Sequence, residues 1–352
     1  MRKFLALLLS GALLLSAAAC SSPPQGESPA DPSSAENPSG ASQGADASSQ
    51  EANELETITF VLDWTPNTNH TGIYVADKLG YFKDAGIKID IQQPPEDGAT
   101  ALVATGKAQF GVDFQDYLAP AYLSDLPVTA VAALIQHNTS GIISLKEKGM
   151  TSPKDLEGRT YATWDLPVEQ ATMKNVVESD GGDWSKVNLA SVTVTDVISA
   201  LQTNIDAVWI YYAWDGIATQ VKGLDTNYFY FKDINPVFDY YTPVLVANND
   251  YLEQNPETAK AFLAAVAKGY EYAIENPKEA AQILCEADST LDQDIVLASQ
   301  QWLADQYKAE VDQWGYIDAS RWDAFYQWLW DNQLIEDEIP AGFGFTNDYL
   351  PE

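Results

Sequence analysis

Phe60-Val61-Leu62-Asp63-Trp64-Thr65-Pro66-Asn67-Thr68-Asn69-His70-Thr71-Gly72-Ile73-Tyr74-Val75-Ala76 holds a strand end, a polar and aromatic turn and a helix start in one short stretch. Thr57 to Leu62 alternates and is β-rich, which predicts a first strand, while Ile73, Val75, Ala76, Leu79 and Phe82 recur near helical spacing. Between them, Asp63, Asn67, Asn69, His70 and Thr71 offer carboxylate, amide, imidazole and hydroxyl groups beside the Trp64 indole. Pro66 keeps the turn out of a helix. In an open α/β sheet, ligands settle outside the carboxyl ends of strands, where this turn falls. The same residues also suit local roles, with Asp63 and Asn67 in Asx turns and Thr71 capping the helix.

The N-terminus has three parts: Arg2 and Lys3, an apolar run from Phe4 to Leu15, and Ser16-Ala17-Ala18-Ala19-Cys20. This predicts an export signal over residues 1–19, its apolar run too short to span a bilayer. Small residues directly before Cys20 resemble a lipoprotein signal, with Cys20 the lipidated first residue of the mature chain; the alternative is an ordinary signal peptide with a coincidental cysteine. From Cys20 to Glu56 the chain is Ser, Pro, Gly, Ala, Gln and acidic residues, too poor in large apolar side chains to fold. Such a tether of about 36 residues has a typical reach on the order of 35 Å, enough to hold a body clear of a membrane surface.

From residue 57 onward, 17 basic residues stand against 44 acidic ones. That surface repels nucleic acid, and no basic stripe offsets it. Cys285 is the body's one cysteine, so no intramolecular disulfide forms there; its apolar helical context suits a small buried hydrophobe. Nearly 300 residues favour two lobes over one core.

Short apolar runs alternate with helical patterns up to about Leu145, implying a largely parallel sheet. A second unit opens near Thr151, with strands at Thr160–Thr163, Leu189–Val192 and Ala207–Ile210 and helices between them. Near Tyr240-Tyr241-Thr242-Pro243 the chain crosses back, and from Pro256 it is almost entirely amphipathic helix. The expected architecture is α/β, with residues 57–145 and 241–352 in one lobe and 146–240 in the other. Two crossings join the lobes and leave a cleft that closes on a ligand.

Several stretches together resemble the type 2 periplasmic-binding-protein receptors of ABC importers, specifically those for thiamine pyrimidine precursors. They are Leu62 to Ala76, Gly80 to Ile87, Pro167 to Ala171, Asp180 to Asp183, Ile205 to Gly216 and Tyr240 to Val246. The likeness runs from Thr57 to about Pro277. Gly80-Tyr81-Phe82 is shared with sulfonate and nitrate receptors, whereas Asp63-Trp64 with Asn67 to His70 is more selective. The resemblance implies an aminopyrimidine bound between aromatic rings with polar groups reading its edge. It also implies a permease and a cytosolic ATPase as partners, and a monomer on the extracytoplasmic face of the cell membrane, anchored through its lipid alone.

A planar heterocycle gains about 0.5–1.5 kcal/mol from stacking beyond area burial. Trp64 is the first candidate face, followed by Tyr211, Trp214, Trp164 and Tyr241, with Phe114 and Gln115 at another strand end. Core packing is the alternative for Tyr211 and Trp214, and the preferred reading for Trp209, Trp302, Trp322, Trp328 and Trp330. Glu169 is a candidate acceptor for an exocyclic amine and the adjacent ring nitrogen; a first-turn acid is equally favoured by the helix dipole. Asp63, Asn67 and His70 share the remaining contacts, with Asp215 as a further candidate.

No catalytic residue, metal or cofactor is expected. A related branch of the fold is a pyrimidine synthase that needs a cysteine-rich, iron-binding segment, for which one body cysteine, His70 and His137 are too few. Anion receptors need positive charge or bare helix amino ends, and the expected wall here carries carboxylates. Riboflavin or another heteroaromatic remains an alternative cargo.

Overall fold

The computed structural model describes residues 55–95 and 98–351. The expected export signal, Cys20 and nearly all of the tether lie outside these residues.

Among the described residues, ten strands form two five-stranded sheets. The first contains β1 (Glu56–Val61), β2 (Ile87–Gln92), β3 (Phe110–Asp113), β4 (Val128–Ala133) and β10 (Val244–Asn248), in the order β2-β1-β3-β10-β4. The second contains β5 (Ser140–Leu145), β6 (Thr160–Thr163), β7 (Asn188–Ser191), β8 (Ala207–Tyr211) and β9 (Thr226–Tyr230), in the order β7-β6-β8-β5-β9. In each sheet the one antiparallel strand arrives from the other sheet: β5 opposes β8 and β9, and β10 opposes β3 and β4. The largely parallel expectation therefore holds apart from these two inserted strands.

β5 pairs in the second sheet although the sequence grouping places residues up to 145 with the first. An apolar run such as Gly141-Ile142-Ile143 states that a strand is buried but not which sheet buries it. β9 has no sequence counterpart among the expected elements. All five of its residues are half-buried, so Thr226 to Tyr230 shows no alternation to read.

Both faces of both sheets are covered. Leu245 and Ala247 of β10 join the core with Phe60, Phe110 and Phe262, while Val244 and Val246 face Trp322 and Phe325 on the other side. In the second sheet, Ile142, Tyr161 and Trp209 pack one way and Ile143, Ala162 and Val208 the other. Trp209 and Trp322 are buried core residues, and Trp302 and Trp328 pack partly against cores. Trp330, expected in the core, is exposed instead, because it lies off the face of its helix (Ala319–Asp331) that buries Trp322, Phe325, Tyr326 and Leu329. Cys285 is half-buried.

The two crossings lie side by side. The Asn138 amide N–H donates to Asp239 Oδ1 at 3.0 Å, and its side-chain nitrogen donates to the Phe238 carbonyl at 2.9 Å. His137 sits between two carboxylates here, with Nδ1 2.6 Å from Asp239 and Nε2 2.8 Å from Glu310.

Candidate functional site

The turn after β1 is held by its own side chains and by two distant tyrosines. Asn67 caps the short helix Thr68–His70, its side chain accepting from the Asn69 amide at 2.9 Å. The Asn67 N–H donates to His70 Nδ1 at 3.2 Å. With Nδ1 an acceptor, the ring proton lies on Nε2, which is 2.5 Å from Asp63 Oδ1. His70 is fully buried, so both of its nitrogens are satisfied inside the protein. The Tyr307 and Tyr270 hydroxyls donate to the carbonyls of Thr68 and Asn69, each at 2.6 Å. Gly72 permits this arrangement, since a Cβ there would overlap the Tyr270 ring. Thr71 serves locally, its hydroxyl donating to the Thr68 carbonyl. Trp64 projects from the same turn with 62% of its surface exposed.

At the end of β3, Asp113 is enclosed. Its carboxylate accepts from the Thr100 hydroxyl and the Phe114 amide, and burial, with Asp63 nearby, pushes it up from the usual carboxylate range. Phe114 caps the helix Gln115–Leu123 and reaches across to the second sheet, where its ring stacks on Tyr211 at 6.0 Å and 16°. Gln115 is buried and fully committed to structure: it bonds Tyr241 through backbone and side chain and donates to the Trp322 carbonyl. Asp116 and Tyr117 follow on the helix's first turn. Burial raises Asp116 to about 7 and Tyr117 to about 12, with the Asp116 charge adding to the latter.

On the second sheet, Tyr211 ends β8, and burial followed by the charge of Asp116 holds its phenol well above the usual range. Glu169, 3% exposed, accepts from the Tyr161 hydroxyl at 2.5 Å, the Thr163 hydroxyl at 2.8 Å and the Trp164 amide at 3.2 Å. Its carboxylate thus anchors the turn that presents Trp164, whose indole lies 5.4 Å from Trp209. The next residue, Asp165, is left-handed at φ 61, a conformation Asp adopts more readily than most residues.

Two candidates lie elsewhere. Trp214 packs against Ala281, Leu284 and Val296. Tyr241 is fully buried, accepting from the Asp318 amide at 2.8 Å beneath the Arg321 guanidinium. Its neighbour Tyr240 is likewise buried, stacked on Phe325 at 4.0 Å and 24°. The structure therefore gathers Asp63, Phe114 and Tyr211 with two residues not singled out in the sequence, Asp116 and Tyr117. The signal that could have found Asp116 is its position one turn beyond a strand end. Among the described residues, no Lys or Arg pairs with Asp63, Asp113, Asp116 or Glu169.

Two mixed α/β lobes, exchanging one strand each and meeting at strand ends, define the periplasmic-binding-protein fold. The alkanesulfonate-binding protein SsuA of Xanthomonas axonopodis pv. citri, bound to MOPS, has this fold with a TM-score of 0.64, at 11% identity and covering 83% of this chain and 99% of that one. The chain belongs to the NMT1/THI5 like family, whose model matches residues 67–280. It is 34% identical to the formylaminopyrimidine-binding protein of Halalkalibacterium halodurans, over 86% of this chain and 92% of that protein. It is also 24% identical to the 4-amino-5-hydroxymethyl-2-methylpyrimidine phosphate synthase of Legionella pneumophila, over 84% of this chain and 92% of that protein.

Proposed function

We propose that this protein is the substrate-binding component of an ABC importer, capturing an aminopyrimidine precursor of thiamine such as formylaminopyrimidine or hydroxymethylpyrimidine. The observation that carries this reading is the Phe114–Tyr211 stack, which joins strand ends of the two sheets beside the His70-locked carboxylate of Asp63. Aromatic faces suit a planar heterocycle, and carboxylates without a paired Lys or Arg favour donor groups over anions. The relative named for binding formylaminopyrimidine supports the cargo.

Synthases among the relatives make catalysis the second reading. Two histidines in the whole chain and a single cysteine beyond Cys20 favour binding alone. In this proposal Trp64 and Trp164 supply further faces, and ligand bridging the lobes biases the paired crossings toward closure. The closed form docks on a permease whose ATPase supplies the energy. The chain is a monomer, lipidated on Cys20 after loss of residues 1–19 and tethered to the extracytoplasmic face of the membrane. No helix among the described residues is long and apolar enough to cross a bilayer.

Calorimetry of the mature protein with aminopyrimidines, thiamine, riboflavin and taurine tests the cargo. Tight binding to an aminopyrimidine is expected. Binding confined to riboflavin or taurine reassigns the cargo, and product formed on adding iron and pyridoxal phosphate revives the enzyme.

A further inference from the structure

We infer that Asp116 grips the ligand, its Oδ1 accepting a hydrogen bond from the donor edge of the bound nitrogen heterocycle. This rests on the proposed function and assigns the edge contact within it. The other carboxylates nearby already have partners: Asp63 has His70, Asp113 has Thr100 and the Phe114 amide, and Glu169 has Tyr161, Thr163 and the Trp164 amide. Asp116 Oδ1 is closed off from solvent and has no hydrogen-bond partner. Native proteins pair such atoms, because a buried oxygen without a donor forfeits its hydration, although Asp116 as a residue is only half-buried. An N–H donor from a bound ligand would satisfy it.

Its position supplies the direction. Asp116 lies in the first turn of the nine-residue helix capped by Phe114, the residue that stacks on Tyr211. Phe114, two residues before it, also lies 5.7 Å from the Tyr117 ring, and the Asp116 charge acts on both Tyr117 and Tyr211, so the carboxyl lies by the strand ends where the lobes meet. Thr242, on the return crossing, lies beside the Tyr211 hydroxyl. A first-turn acid gains from the helix dipole wherever it falls, but that attraction acts on its charge and leaves Oδ1 unbonded. The rise of its carboxyl to about 7, caused first by burial and only partly offset by the amides of Asp116 and Tyr117, agrees with a group awaiting a donor.

Asp116→Asn tests the assignment by calorimetry with 4-amino-5-hydroxymethyl-2-methylpyrimidine and its analogue lacking the 4-amino group, alongside thermal unfolding. Affinity for the amino compound should fall roughly 10- to 100-fold, as for loss of a charge-assisted hydrogen bond. Affinity for the analogue should change little, and the melting temperature should hold or rise, since a buried unpaired charge has been removed. Unchanged affinity for the amino compound overturns the role of Asp116 and leaves the cargo standing. Equal weakening of both compounds with a lower melting temperature makes Asp116 structural and also overturns it. If the wild type binds only riboflavin, the cargo fails, and Asp116 is judged by whether Asp116→Asn loses affinity for the riboflavin imide edge. Binding of none of these ligands overturns both.

Discussion

His70 Nε2 lies 2.5 Å from Asp63 Oδ1 while its Nδ1 accepts the Asn67 amide, so one buried ring ties a carboxylate to the turn that carries it. The Asp63 side chain is only 7% exposed, which makes this partner necessary to it. His70→Ala should lower both ligand affinity and stability, the latter by about 1–3 kcal/mol for a carboxylate stripped of its donor. Calorimetry and chemical denaturation check this. Affinity lost with stability intact would instead place His70 in direct contact with ligand.

Tyr211 and Trp214 lie three residues apart and should respond in opposite ways. Tyr211 stacks on Phe114 between the sheets, so Tyr211→Ala should cost ligand affinity with a modest change in melting temperature. Trp214 is half-buried against Ala281, Leu284 and Val296, so Trp214→Ala should cost about 3 kcal/mol of stability, the low end for a tryptophan, while affinity stays near wild type. Parallel titrations and melts separate the two.

His137 makes the crossings sensitive to pH. The hydrogen bond to Asp239 raises its pKa above 6.5; burial opposes this, Glu310 and the Asp239 charge reinforce it, and Arg321 opposes it. A raised folded value means that the protonated ring stabilises the native state fully below the unfolded pKa, and that this contribution is lost as pH rises through the folded one. The melting-temperature gap between wild type and His137→Gln should therefore be widest near about pH 6 and narrow under alkaline conditions. A gap independent of pH would show that the charge is not involved.

Gly72 is the point where the site turn meets the body of its lobe. A Cβ at Gly72 would overlap Tyr270, and one at Gly269 would overlap the Gly72 carbonyl. Gly72→Ala should cost about 1–3 kcal/mol through overpacking and should weaken ligand binding, because Tyr270 also holds the Asn69 carbonyl. Thermal melts together with calorimetry report both effects.

Asp116 links stability to pH in the other direction from His137. Burial raises its folded pKa to about 7, above the usual aspartate value of 3.8, so its cost to the native state is absent below the lower value and grows as pH rises toward the higher one. Asp116→Asn should match wild type in stability near about pH 4 and exceed it at neutral pH, by up to a few kcal/mol. Urea unfolding at the two pH values checks the sign.

Local pattern carried much of the architecture. The helices Gln115–Leu123 and Pro167–Ser179 and the strand Thr160–Thr163 are readable because period and capping depend on neighbouring residues, and the turn from Asp63 to His70 is legible for the same reason. Tertiary structure decided which of these residues share a site. Trp214 and Tyr241 read in sequence like Tyr211, yet packing from residues 281–296 and from Asp318 to Trp322 claims them. Asp116 reads as an ordinary helix-start acid until folding closes its Oδ1 off from solvent and brings Tyr211 near. Burial and partner supply are properties of the assembled chain, set by residues on a different sheet, and no window of sequence contains them.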